Sequence, residues 1–167
     1  ERVQEEIEVE DAVANQLRDT RREMEGVIAE PDASAARLAA AYGTLGQLYH
    51  AYELFDAAQA CYRNASLLDP QDFGWLHLQA VASRSQGKLE EAVAQFETAW
   101  SLQPRDFAAL VNVGELYLEL NREDDAEAAF QQAMALSPGS PSVMAGLGNL
   151  ALGRREFENA ARYFTNA

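Results

Sequence analysis

The chain has 167 residues, 48 % of them apolar, and its 27 acidic residues against 13 basic ones give a formal net charge of −14. Such a surface repels phosphate backbones, which argues against nucleic-acid binding. The acidic excess favours a basic partner, or it serves solubility alone. No run of about eighteen apolar residues occurs, so we expect no membrane insertion. The single cysteine, Cys61, leaves no internal disulfide and no cysteine-based zinc site.

The first 38 residues form a strongly acidic segment in front of a periodic region. A thin apolar stripe predicts a helix that runs to about Ala29 and ends before Pro31. The stripe consists of Ile7, Ala14, Leu17, Met24 and Ile28. Asp32 or Ser34 is placed to cap the helix that follows. We predict that this segment covers the first repeat, with a dimer contact or a link to a preceding domain as the alternatives.

Neither end of the sequence coincides with a clear boundary. The sequence begins at Glu1 rather than at a methionine, and it stops at Ala167 within the periodic pattern. We therefore expect both ends to be truncated, and the compartment stays open between the cytoplasm and the periplasm. A homo-oligomer could form through the N-terminal helix or through open repeat ends.

From residue 39 onward the sequence repeats every 34 residues. Alanine recurs at Ala58, Ala92, Ala126 and Ala160, an aromatic residue at Tyr62, Phe96, Phe130 and Phe164, and proline at Pro70, Pro104 and Pro138. A fixed period of this length is typical of a solenoid, in which each repeat buries its face against its neighbours. We number the repeats 39–72, 73–106, 107–140 and the partial repeat 141–167.

Each repeat predicts a helical hairpin. Position 15 separates the two helices of the hairpin. This residue is Gly87 in the second repeat and Asn121 in the third, and both tolerate the left-handed conformation. The first and fourth repeats have Glu53 and Arg155 there, so their turns are less clearly signalled. Between repeats, proline stops one helix and an aspartate, Asp72 or Asp106, caps the next.

The remaining positions that stand out predict packing rather than chemistry. Small residues at position 8 allow the two helices of a hairpin to approach closely; they are Gly46, Ala80, Gly114 and Gly148. The aromatic residues at position 24 fill the seam against the next hairpin. Trp75 and Trp100 are expected between hairpins, and Cys61 as a small buried hydrophobe. Glu123, Asp124 and Asp125 open a helix and complement its dipole. We expect no enzymatic activity and no cofactor.

These residues resemble the tetratricopeptide repeat family. The first repeat supplies Tyr42, Leu45, Gly46, Tyr49, Ala58, Tyr62, Ala65 and Pro70, and the third supplies Leu110, Val113, Gly114, Tyr117, Ala126, Phe130, Ala133 and Pro138. The second repeat departs from the pattern at Gln79, Ala80 and Ser83, and the fourth at Ala151. The resemblance implies an all-α fold, a right-handed α-solenoid of helix-turn-helix hairpins, here with an extra N-terminal helix.

The resemblance also implies a concave groove, lined by the first helix of each hairpin, that binds a peptide or a partner helix. The positions that line it in the family correspond here to Gln47, His50, His77, Val81, Arg84, Val111, Asn112, Glu115 and Asn149. His77 and Arg84, two helical turns apart, are either donors for a partner carboxylate or ordinary solvated residues. Two histidines without a close third ligand do not predict a metal site.

One subset of the family grips the C-terminal carboxylate of chaperone tails with lysine and asparagine residues, and this sequence departs from that clamp. Gly43, Gln47, Leu78 and Ala108 stand at clamp positions, which leaves Asn112 alone. The resemblance therefore implies an interaction scaffold that binds a protein or peptide other than a chaperone tail. The alternative is a structural or oligomerisation segment of a larger protein, with the groove occupied in cis.

Overall fold

The computed structural model describes the backbone of residues 2–167 and the side chains of residues 14–27 and 29–167. Within this part the chain is all-helical. The helices are α1 (Arg2–Ile28), α2 (Ala35–Ala51), α3 (Phe55–Leu68), α4 (Phe73–Ser85), α5 (Leu89–Leu102), α6 (Phe107–Glu119), α7 (Glu123–Leu136), α8 (Pro141–Gly153) and α9 (Phe157–Thr165). None of these helices is both long and apolar enough to cross a membrane.

The chain divides into two compact units, one up to Ala82 and one from Ser83 onward. In the N-terminal unit, α1 packs along α2, and the Tyr52 hydroxyl donates a hydrogen bond to Oε1 of Gln16 over 2.6 Å. Leu17 and Met24 of the predicted stripe are half-buried and Ala14 is exposed, whereas Ile7 and Ile28 lie outside the described side chains. The acidic segment therefore contributes a helix that contacts the first hairpin.

All four hairpin turns have the same backbone, whichever residue occupies position 15. Its φ is 58° at Glu53, 73° at Gly87, 57° at Asn121 and 61° at Arg155. In each turn the following amide donates to the carbonyl five residues earlier, as from Leu54 to Tyr49 (2.8 Å). The third repeat closes in the same way, from Arg122 to Tyr117 over 2.8 Å. The helical hairpin is confirmed in all four repeats, including the two with a weak turn signal.

The predicted caps are present at the start of the first helices. Ser34, rather than Asp32, accepts the amide of Arg37 at 3.2 Å in front of α2. Asp106 accepts the amide of Ala108 at 3.0 Å in front of α6. Each side chain satisfies one of the helix-end amides that lacks a backbone partner, so the residues between repeats fix where the next helix begins.

The residue at position 8 lies in close contact with the aromatic ring at position 24 of the same hairpin. A Cβ atom added at Gly46 would lie 2.7 Å from the Tyr62 ring, and one added at Gly114 would lie 2.6 Å from the Phe130 ring. Phe130 also touches the next hairpin, because a Cβ at Gly146 would lie 2.3 Å from the same ring. The aromatic residue therefore fills the seam within its own hairpin as well as the predicted seam against the next one.

Candidate functional site

Arg84 forms the centre of an ion-paired cluster in the C-terminal unit. Its Nη1 lies 2.9 Å from Oε2 of Glu115, and its Nε donates to Oε1 of Glu119 over 3.0 Å. Partial burial lowers the pKa of the guanidinium, but the hydrogen bonds to Glu115 and Glu119 outweigh it and raise the pKa above the usual value. Arg84 is thus a fixed cation that two carboxylates already bind, and a partner carboxylate would have to compete with both.

A surface depression of about 610 Å³ surrounds this cluster. Glu123 and Asn149 line it together with Arg84, Glu115 and Glu119. The structure therefore brings together three of the predicted groove residues, Arg84, Glu115 and Asn149. Its lining holds three carboxylates, one guanidinium and two exposed amides, those of Asn121 and Asn149, so the depression is acidic and can both donate and accept hydrogen bonds.

Two predicted groove residues of the C-terminal unit face the protein instead. Val111 is only 6 % exposed and belongs to the core cluster that includes Phe130 and Val143. Val111 therefore packs mainly in the core and offers little surface to a partner. Asn112 is half-buried, and its Nδ2 donates to the carbonyl of Ala108 over 2.9 Å, which ties the amide to its own helix.

The predicted groove residues of the N-terminal unit differ in exposure. Gln47 is exposed, while His77 and Val81 are half-buried. The His50 ring meets two aromatic rings edge-on, with centroids 5.5 Å away at Phe55 and 6.3 Å away at Tyr62. His50 therefore contributes to the packing of the first hairpin at the same time as it reaches the surface.

A second arginine cluster was missed by the sequence reasoning. Arg154, just after α8, pairs with Glu123 (3.2 Å), Asp124 (3.0 Å) and Glu127 (2.6 Å). Hydrogen bonding to Glu127 raises the pKa of Arg154 above its usual value. The acidic residues that open α7 thus join two hairpins in addition to complementing a helix dipole. The sequence offered one indication of this cluster: Arg154 in the fourth repeat has the opposite charge to the acidic residues at the start of α7 in the third repeat.

The aromatic and thiol side chains singled out by sequence take part in packing. Trp75 packs over Gly43, where an added Cβ would lie 2.2 Å from the indole, and Trp100 packs against the core of the C-terminal unit. Cys61 is 7 % exposed, and burial raises the pKa of its thiol to about 11. Among the described residues, no group of three His, Cys, Asp or Glu side chains could hold a metal ion.

The comparisons with known proteins agree with the repeat pattern. A family model for the tetratricopeptide repeat matches residues 44–100 and, in a second match, residues 77–141. These ranges together include more than half of the chain. No curated protein sequence matches it.

Solved structures share the fold at low sequence identity. MamA superposes with a TM-score of 0.75 and 17 % identity, covering 95 % of this chain and 88 % of its own. A tetratricopeptide repeat protein from Parabacteroides merdae gives a TM-score of 0.79 and 19 % identity, covering 96 % of this chain and 60 % of its own. The first repeat domain of Spaghetti (RPAP3), bound to an HSP90 peptide, gives 0.66 and 18 %, with 72 % and 95 % covered. At such identities the likeness shows the fold, an all-α helical repeat solenoid.

Proposed function

We propose that this chain, which belongs to the tetratricopeptide repeat family, is an interaction scaffold that binds a peptide or helix of a partner protein along the first helices of its hairpins. The observation that carries the proposal is the acidic depression around Arg84, Glu115 and Asn149. The Spaghetti (RPAP3) domain with its bound peptide supports it as an example of the same fold serving as a peptide receptor.

The chemistry of the depression favours a partner segment with basic residues. Glu115 and Glu119 share one arginine between them, and Glu123 shares Arg154 with two further acids, so the carboxylates exceed the cations locally. A formal net charge of −14 adds long-range attraction for a basic segment. The exposed amide of Asn149 can bind a peptide backbone through its donor and its acceptor at once.

The test is capture of partners from the native lysate, followed by titration calorimetry with each purified partner. We compare the wild type with a depression variant, Glu119→Gln with Asn149→Ala. The matched control is Glu90→Gln with Asn64→Ala, which makes the same chemical changes at exposed positions of second helices. Circular dichroism first verifies that both variants keep their helicity.

We expect the depression variant to bind the identified partner at least tenfold more weakly, and the control to bind as the wild type does. Equal affinity for both variants contradicts the proposal, and so does a partner whose affinity does not fall as salt rises, because screening weakens contacts with exposed carboxylates.

The second candidate function is a structural or oligomerisation segment of a larger protein, with the groove occupied in cis. Large apolar side chains on second helices favour it, since Leu67 is 75 % exposed and Phe157 is 66 % exposed. Analytical ultracentrifugation separates the two candidates. A stable dimer that Leu67→Ser or Phe157→Ser dissociates supports the second, and a monomer that binds a separate partner supports the first.

A further inference from the structure

A second depression, of about 420 Å³, lies in the C-terminal unit among α5, α6 and α7. Its floor is apolar and consists of Trp100, Leu110, Val113 and Ala129, while Glu97 and Asp125 stand at its edge. A volume of this size lies within the range of pockets that bury a ligand side chain or a small molecule. We call it the Trp100 pocket.

The Trp100 pocket is distinct from the acidic depression around Arg84, because the two use different sides of α6. Leu110, Val113 and Tyr117 line the pocket, whereas Glu115 and Glu119 bind Arg84. Residues two positions apart on an α-helix point about 200° away from each other, so Val113 and Glu115 face opposite ways, as do Tyr117 and Glu119. A ligand in the pocket therefore leaves the Arg84 cluster untouched.

Two residues that line the pocket, Tyr117 and Asp125, bind the guanidinium of Arg122, which is not itself part of the lining. Cζ of Arg122 lies 4.4 Å from the centroid of the Tyr117 ring, and Nε of Arg122 donates to Oδ2 of Asp125 over 2.7 Å. The Tyr117 hydroxyl in turn donates to Oε1 of Glu97 over 2.7 Å. Burial, followed by this hydrogen bond, raises the pKa of Tyr117 to about 12. An aromatic face and a carboxylate thus cooperate on one cation.

We propose that the Trp100 pocket takes the side chain of an arginine from a partner protein, with its aliphatic stem on the apolar floor and its guanidinium paired with Glu97. Arginine fits better than lysine for two reasons. Its planar guanidinium stacks on aromatic rings, and its fork of donors matches a carboxylate. An acidic residue at the edge and the net charge of −14 supply the charge complementarity. The segment that carries the arginine is basic and has apolar neighbours.

The test follows the indole resonances of Trp75 and Trp100 in ¹⁵N-labelled protein, assigned through Trp75→Phe. The probe is the capped pentapeptide Ac-Ala-Leu-Arg-Leu-Ala-NH₂, and its counterparts carry citrulline or glutamate in place of arginine. Citrulline has nearly the shape of arginine without the charge. We expect the arginine peptide to shift the Trp100 signal and leave the Trp75 signal in place, and the citrulline peptide to bind at least tenfold more weakly.

Two test variants, Ala128→Leu and Glu97→Gln, and one control, Ala135→Leu, separate this pocket from other acidic surfaces. Ala128 is exposed and lines the pocket, so Ala128→Leu fills it without disturbing the core; Ala135→Leu makes the same change on the same helix outside the lining. We expect Ala128→Leu to weaken binding at least tenfold, Ala135→Leu to leave it unchanged, and Glu97→Gln to lower it to the level of the citrulline peptide. Equal binding of the arginine and citrulline peptides overturns the proposal. So does wild-type affinity in Ala128→Leu, or binding that moves resonances around Arg84 alone.

Discussion

The first hairpin (39–72) and the third (107–140) fold alike with different residues at three places. In each, a glycine at position 8 lies against the ring at position 24, which is Tyr62 in the first hairpin and Phe130 in the third. Both turns are left-handed, one at Glu53 and one at Asn121. The surface positions of their first helices differ most, because the first hairpin has Gln47 and His50 where the third has Glu115 and Leu118. Packing positions are thus held constant while the surface is free to vary.

The largest effect is expected from the glycine that both hairpins share. Gly114→Ala places a Cβ 2.6 Å from the Phe130 ring, and Gly46→Ala places one 2.7 Å from Tyr62. Overpacking of this kind costs about 1–3 kcal/mol of unfolding free energy, which outweighs the gain in helix propensity. Urea denaturation measures the loss. Gly26→Ala is the control, since nothing lies within 4 Å of its Cβ, and it should not destabilise. A Gly114→Ala protein as stable as the wild type would show that the contact is soft.

A smaller change in unfolding free energy is expected from the hydroxyl group that distinguishes Tyr62 from Phe130. Tyr62 is fully buried, and no described residue forms a hydrogen bond with its hydroxyl, whereas Phe130 carries no such group. Tyr62→Phe should therefore raise the unfolding free energy by about 1 kcal/mol, because an unsatisfied buried hydroxyl is removed. Phe130→Tyr should lower it by a similar amount or more. Thermal and urea unfolding of both variants check the pair, and a loss of stability in Tyr62→Phe would contradict the explanation.

The next change in unfolding free energy is expected from substitutions at position 15 of the hairpin turns. Glu53 holds a left-handed φ of 58°, which is unfavourable for a side chain with a Cβ. Glu53→Gly should stabilise the protein by about 0.5–1 kcal/mol, since relief of strain exceeds the entropy that glycine adds to the unfolded chain. Asn121→Gly should gain less, because asparagine already tolerates this region. Gly87→Ala should lose about 1 kcal/mol. Equal midpoints for Glu53→Gly and the wild type would show that other contacts in the turn offset the strain.

The smallest expected effect is a loss of unfolding free energy at alkaline pH, caused by the ionisation of Cys61 and Tyr62. Burial raises the pKa of Cys61 to about 11 and that of Tyr62 to about 12, above ordinary values of 9.0 and 10.0. Both groups stay protonated in the native state while the unfolded chain ionises. Their contribution is therefore complete below pH 9 and is lost as the pH rises towards 12. Urea midpoints at pH 8 and pH 10 measure the decline, which should be shallower in Cys61→Ala with Tyr62→Phe. An unchanged slope in that variant would assign the alkaline loss to other groups.

Much of the fold could be predicted because its determinants are local or strictly periodic. A cap such as Asp106 acts within two residues, and the ring at position 24 recurs at a fixed interval. The turn at Glu53 was weakly signalled, since its conformation is imposed by the two helices it joins rather than by its own preference. The candidate site was harder to predict. The position of Val111 in the repeat predicts a surface residue, but its side chain is buried. The position of Arg84 predicts a guanidinium available to a partner, but that group is already ion-paired with Glu115.

The sequence by itself determined the helical hairpins, their boundaries and the small and aromatic residues that pack them, because these depend on spacing along one chain. The tertiary structure decided which charged groups meet. Arg84 finds its acids more than thirty residues later in the chain, and Arg154 finds its acids about thirty residues earlier. The Trp100 pocket likewise exists only where three helices come together. Such contacts depend on how neighbouring hairpins pack, and a long flexible side chain can reach any of several partners until that packing fixes its distance to one.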